Sequence, residues 1–247
     1  MSAREPRLYA LPASHPCAAV EAALKAKSIP YRRVDLLPQG EMLLGPLLWG
    51  GRTVPGMRLD GERLVGSRTI MRRLDELVAE PALLPAEEPA RARVLEAERW
   101  GDEVFQPVPR RLIDVAFMRS PRAMESYAAN ARLPLPVALL RPAMPLTARL
   151  MARKNAASEE RARLDAQALP EQLAQIDGWI AQGVLGGERP NAADLQVGST
   201  IRLLMTIADV RPAIEGHPAA TLARYFPPML GEVPAGVLPA WSRAGAS

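Results

Sequence analysis

The 247-residue chain has one cysteine, Cys17, and two histidines, His15 and His217. With a single thiol no intramolecular disulfide can form, which fits a reducing cytoplasm as the expected compartment. These three residues give no metal-ligand spacing, so no metal site is expected. Aromatic residues are only 4% of the chain. None is interleaved with a lysine/arginine run, so a base-stacking nucleic-acid platform is not expected despite the net charge of +4. Long apolar runs are missing too. The most apolar stretch, residues 133–151, carries Pro134, Pro136, Arg141, Pro142 and Pro145. That pattern argues against a membrane span and for a short helical hairpin, buried or lying on the surface. Residues 1–8 are polar and lack the apolar core of a signal peptide. No glycine loop of the P-loop or dinucleotide type is present.

What remains is ordinary for a globular protein, with 48% hydrophobic and 23% charged residues. A chain this long buries about three quarters of its unfolded surface, so it folds without disulfides or metal. Its first eighty residues alternate strand and helix signals. Residues 7–11 predict a strand ending at Pro12. Residues 16–27 predict a helix with Ala19, Val20, Ala23 and Leu24 on one face, and Glu21 and Lys25 spaced for an i, i+4 pair. Residues 31–36 predict a second strand. A glycine- and proline-bearing connection with room for one short helix follows, then a strand over 54–59. Asp60-Gly61 marks a hairpin turn returning through 62–65. Ser67 then caps a helix with a stripe of Ile70, Met71, Leu74, Leu77 and Val78. The order is β-α-β, a connection, then β-β-α.

Residues 81–89 read as a linker. Beyond it the signals are helical, at 91–104, 164–180 and 191–207, with Pro170 expected to start or kink its helix. After His217 the proline- and glycine-rich chain is expected to run over the surface. The expected organisation is therefore an α/β domain over 1–80, the linker, and an all-α domain over 90–247 with a proline-rich tail. Asn191 and Asp194 read as a helix cap and its reciprocal partner. Trp100, Phe105 and Arg110-Arg111 read as core and surface, or as the lining of a second pocket.

Four local features occur in order. They are Leu8-Tyr9 with Ser14-His15-Pro16-Cys17, then Thr53-Val54-Pro55-Gly56-Met57. Residues 60–70 follow, with Gly66-Ser67, and finally Arg189-Pro190-Asn191-Ala192-Ala193-Asp194. Together they resemble the glutathione S-transferase superfamily: a thioredoxin-like α/β domain in front of an all-α domain. The resemblance covers residues 7–80 well and the rest through the last motif alone. It implies glutathione, or another low-molecular-weight thiol, as co-substrate, an electrophilic small molecule as partner, and a homodimer acting in detoxification. Ser14 and Cys17 are the implied catalytic residues. His15, Thr53, Val54, Pro55, Gly66 and Ser67 are the implied thiol-binding ones, with Pro55 cis. Gly66 departs from the pattern, because the family usually carries an acidic residue or glutamine there.

The residue chemistry supports these roles. A helix N-terminus after Ser14 favours an anion, here a thiolate accepting from the Ser14 hydroxyl; Ser14 as a plain cap is the alternative. Cys17, in the first helical turn, reads as a thiol of lowered pKa or as a small buried apolar residue. His15 reads as a group that polarises a substrate or as an exposed loop residue. Ser67 offers its hydroxyl and N–H to a ligand carboxylate. Arg52 and Thr53 could reach a second carboxylate. Three functions remain open: a thiol transferase, a catalytically silent binding or scaffold protein of the same fold, and a monothiol redox protein using Cys17.

Overall fold

The structure, a computed structural model, describes residues 5–129, 131–133 and 135–242. The readings of residues 1–4 and of Pro134 fall outside it. The N-terminal part runs β1 (Arg7–Ala10), α1 (His15–Ala26), β2 (Arg32–Asp35), α2 (Gly40–Leu48), β3 (Gly56–Leu59), β4 (Glu62–Val65) and α3 (Ser67–Leu77). The sheet order is β2-β1-β3-β4. β1 pairs parallel to β2, with Tyr9 opposite Val34, and antiparallel to β3, with Leu8 opposite Met57. Asp60 and Gly61 turn the β3–β4 hairpin with φ of 47° and 89°. Two consecutive positive φ values match the right-handed twist of the flanking strands. This is the expected thioredoxin-like plan.

The regular structure of the C-terminal part is helical: α4 (Glu88–Trp100), α5 (Pro107–Arg119), α6 (Ala123–Ala128), α7 (Val137–Leu140), α8 (Met144–Lys154), α9 (Glu159–Ala181), α10 (Ala192–Leu204) and α11 (Arg211–Glu215), besides short 3-10 and π turns and one isolated bridge between Ile207 and Val233. One core cluster joins both halves, with Val20 and Leu24 of α1 in the same cluster as Val197 and Ile201 of α10. A smaller cluster of Tyr9, Leu36 and Trp49 lies on the other side of the sheet. Trp49 is fully buried and stacks on Tyr9 with ring centroids 4.9 Å apart. A Cβ on Gly56 would stand 2.3 Å from that indole, so glycine is required there.

Four expectations change. Helix α9 runs through Pro170 without ending, because Leu169, Leu173 and Ile176 are buried on both sides of an exposed proline. Their burial outweighs the lost hydrogen bond, which costs about 3 kcal/mol. Glu21 does not serve Lys25. It binds Arg33 and accepts from the Tyr31 hydroxyl at 2.9 Å, partners held by the sheet at less entropic cost than an exposed lysine. α3 ends at Leu77, which is exposed. Finally, the chain after His217 returns to the core, burying Phe226, Val233 and Leu238, with Val233 N–H donating to the Thr206 carbonyl at 2.9 Å. Residues 133–151 contribute α7 and most of α8, short helices of which only α8 buries side chains, namely Met144, Ala148 and Ala152. Among the described residues no helix is long and apolar enough to cross a membrane.

Candidate functional site

β1 ends in the buried run Leu8-Tyr9-Ala10, and the chain reverses through Ala13, at φ 59°, into α1. Pro16 occupies the first turn of that helix, where an N–H would lack a partner anyway. Ser14 holds the N-cap position but makes no side-chain capping bond to a backbone N–H; its side chain is within hydrogen-bond reach of the Cys17 thiol instead. No acidic residue occupies the first turn. The positive end of the helix dipole is therefore left uncompensated beside Ser14.

Cys17, one turn in, is fully buried. Burial pushes its thiol up to about 11, and the hydrogen bond with Ser14 offsets only part of this. The direction is opposite to the lowered pKa that a first-turn position suggests, because desolvation outweighs the dipole. His15 is buried too, rather than an exposed loop residue. Its Nε2, assigned as the protonated nitrogen, donates to the Gln106 carbonyl at 3.2 Å, tying the head of α1 to the head of α5. Burial first, and Arg110 second, hold its pKa well below the usual value, so His15 is neutral.

Across the sheet, the Val54–Pro55 peptide is cis. Trp49 Nε1 donates to the Thr53 carbonyl at 3.1 Å and holds this segment from below. Among the described residues neither the N–H nor the C=O of Val54 has a hydrogen-bond partner. That is a free donor–acceptor pair suited to a peptide backbone. Gly66 N–H donates to the Pro55 carbonyl at 2.9 Å. Gly66 itself sits at φ 87°, ψ 148°, a conformation essentially restricted to glycine, and a Cβ there would meet nothing within 4 Å. The helix cap is thus Gly66 and not Ser67, which is the first residue of α3.

The Ser67 hydroxyl is committed elsewhere, donating to Gln196 Oε1 of α10 at 2.9 Å. Gln196 reaches on to Asp102 Oδ1 at 3.4 Å, and the Gln106 side-chain amide donates to the same carboxylate oxygen. A π-turn over Gly101–Phe105 joins α4 to α5 and presents Asp102 and Gln106 together. The sequence pattern did not single out Gln196, Asp102 or Gln106. Only Gln196 carries a signal, as a polar residue on the mainly apolar helix α10.

Ser14, His15, Thr53, Val54, Pro55, Gly66 and Ser67 all line one cleft of about 680 Å³ between the two halves; Cys17 does not. The opposite wall is mainly apolar, with Ile113 and Phe117 of α5, Met124 of α6, Leu140 of α7, and Met144 and Met151 of α8. Glu41 of α2 pairs with Lys154 of α8, joining the two rims. A second groove, of about 650 Å³ over Arg202 and Phe226, takes no residue from the N-terminal half. Arg110 lines the cleft, whereas Arg111 pairs with Asp165 at 2.5 Å. Trp100 and Phe105 pack on each other with centroids 5.4 Å apart and do not line the cleft. Asn191 and Asp194 form the reciprocal cap on α10. A cavity of this size, apolar on one side with convergent polar groups on the other, suits a drug-sized ligand.

Residues 8–82 match the glutathione S-transferase N-terminal domain family. No curated protein sequence matches the chain. Among solved structures, the β-etherase LigF from Sphingobium sp. strain SYK-6 is similar at 19% identity and TM-score 0.64, covering 90% of this chain and 94% of that one. FzlA from C. crescentus is similar at 18% identity and TM-score 0.63, covering 97% and 98%. A maleylacetoacetate isomerase from Anaeromyxobacter dehalogenans 2CP-1, with glutathione bound in its active site, is similar at 21% identity and TM-score 0.54, covering 90% and 88%.

Proposed function

We propose that this chain, whose N-terminal domain belongs to the glutathione S-transferase family and whose two halves share that superfamily's fold, binds glutathione or a similar small thiol and adds it to an electrophile. The observation that carries the reading is the meeting of three groups in one cleft. They are the Ser14 hydroxyl at an uncompensated helix N-terminus, the free backbone of Val54, and Ser67 at the head of α3. In this reading the tripeptide backbone pairs with Val54, and its γ-glutamyl carboxylate lies toward the N–H groups that open α3. The thiol reaches Ser14, where dipole and hydroxyl favour the thiolate. That sulfur, its proton released to water, forms the new bond to the electrophile held by the apolar wall; the leaving group departs with its bonding pair, or, in an unsaturated electrophile, the π pair moves to the far atom, which takes a proton from water. Proximity supplies much of the rate. Detoxification, a homodimer and a cytoplasmic setting belong to this proposal and come from the family resemblance.

A second reading, a catalytically silent binding protein of the same fold, draws on two observations. Gly66 offers no side chain to a ligand's amino group, and the Ser67 hydroxyl already serves Gln196. The redox reading through Cys17 is the weakest of the three, since a fully buried thiol of raised pKa is a poor nucleophile. Calorimetric titration with glutathione, followed by conjugation of a model electrophile, tests the leading reading. Saturable binding with turnover supports it, binding without turnover favours the silent reading, and no binding removes the glutathione-dependent one.

A further inference from the structure

The face of α5 toward the cleft repeats at helical spacing through Gln106, Arg110, Ile113, Asp114 and Phe117. All but one of these groups are accounted for by packing or hydrogen bonding. Ile113 and Phe117 belong to the core, Gln106 binds Asp102, and Asp114 accepts from the Asn155 amide at 2.7 Å. Arg110 is the exception. Among the described residues its guanidinium makes no hydrogen bond and no ion pair, whereas its neighbour Arg111 holds Asp165 with two. Asp102 and Asp114 lie within electrostatic reach of Arg110, yet neither touches it.

We infer that the apolar half of the cleft takes an electrophile carrying one carboxylate, and that Arg110 is the residue that selects it. This cation is half-buried and lines the cleft, and lost hydration lowers its pKa. A partly desolvated cation without a direct ion-pair partner costs the fold stability. A ligand carboxylate supplies that counterion, and the planar guanidinium can donate to both of its oxygens. The surrounding wall of Leu11, Ile113, Phe117, Met144 and Met151 then covers an apolar body. Arg110 stands four residues, about 6 Å along the helix, from Gln106, whose carbonyl holds His15 beside Ser14. The carboxylate would thus bind a short arm's length from the proposed thiol position. This substrate class rests on the transferase reading for its meaning, but its binding can be measured without any thiol.

The test is calorimetry on the full chain, with 4-phenylbutanoate compared with its uncharged amide, no thiol being present. The acid is expected to bind about 10- to 100-fold more tightly than the amide, the usual scale for a hydrogen-bonded charge. Arg110→Met, which keeps the apolar stem, is expected to abolish that preference with no loss of melting temperature, and Arg110→Lys to keep part of it. Equal binding of acid and amide to the unaltered protein overturns the proposal, as does no binding of either at millimolar concentration. A preference that survives Arg110→Met overturns it equally. The comparison on the unaltered protein stands even if a variant misfolds. Failure of glutathione binding would leave this result untouched, and failure here would leave the thiol site untouched.

Discussion

The Ser67 hydroxyl donates to Gln196 Oε1 at 2.9 Å, linking two buried side chains 129 residues apart and belonging to different halves of the molecule. A hydroxyl proposed as a ligand contact is therefore a fastener between the halves. Truncating either partner leaves the other buried without its bond, at a cost of about 1–3 kcal/mol. Gln196→Leu and Ser67→Ala are each expected to lower stability on this scale in denaturant melts. The double variant should lose less than the sum of the two. Strict additivity would show that the pair is not coupled.

Ser14 and Cys17 separate cleanly. If Ser14 stabilises the thiolate, Ser14→Ala is expected to reduce glutathione conjugation about 100-fold or more, as for removal of one donor to a developing anion. Cys17, with its thiol pushed up to about 11, has only about 0.1% thiolate at pH 8. It is expected to resist iodoacetamide in the folded protein and to react in denaturant, read by mass spectrometry. Rapid alkylation of the native chain would refute the buried-thiol assignment.

Asp114 gives a pH signature. Burial raises its carboxyl to about 7 from 3.8, with Asn155, Arg110 and Lys154 offsetting part of the effect. A folded-state pKa above the unfolded one means that the folded protein holds the extra proton. Its contribution is intact below about pH 4 and is lost as pH rises through 7. Asp114→Asn retains an oxygen for Asn155 and removes this penalty. It is expected to stabilise the fold by about 2–4 kcal/mol at pH 8 and by little at pH 4, measured by urea denaturation at both values. A gain that does not change with pH would contradict the buried, proton-holding carboxyl.

Gly66 tests the backbone at the head of α3. At φ 87° any side chain is strained although space is open, so Gly66→Ala is expected to cost about 1–3 kcal/mol. An unchanged melting temperature would mean that the positive φ is not enforced.

Much of the fold was legible in local pattern. The β-α-β then β-β-α order, the Asp60-Gly61 turn and the Asn191–Asp194 cap are short-range matters of periodicity, turn chemistry and capping. The helix through Pro170 and the return of Val233 to the core were not legible, because burial against distant elements overrode a local breaker and a proline-rich composition.

For the site, the sequence by itself determined the N-terminal half: a serine before a helix, a Val-Pro bend and a serine after Gly66, each encoded within a few residues. The tertiary structure alone decided what those groups face. It spent the Ser67 hydroxyl on Gln196, buried His15 against Gln106, and raised the Cys17 pKa where helix position suggested lowering it. Among the described residues it also left Arg110 without an ion pair in the cleft, beside an Arg111 that pairs with Asp165. The reason is physical. Local conformation follows from neighbours along the chain, whereas desolvation and pairing depend on which remote residues exclude the water.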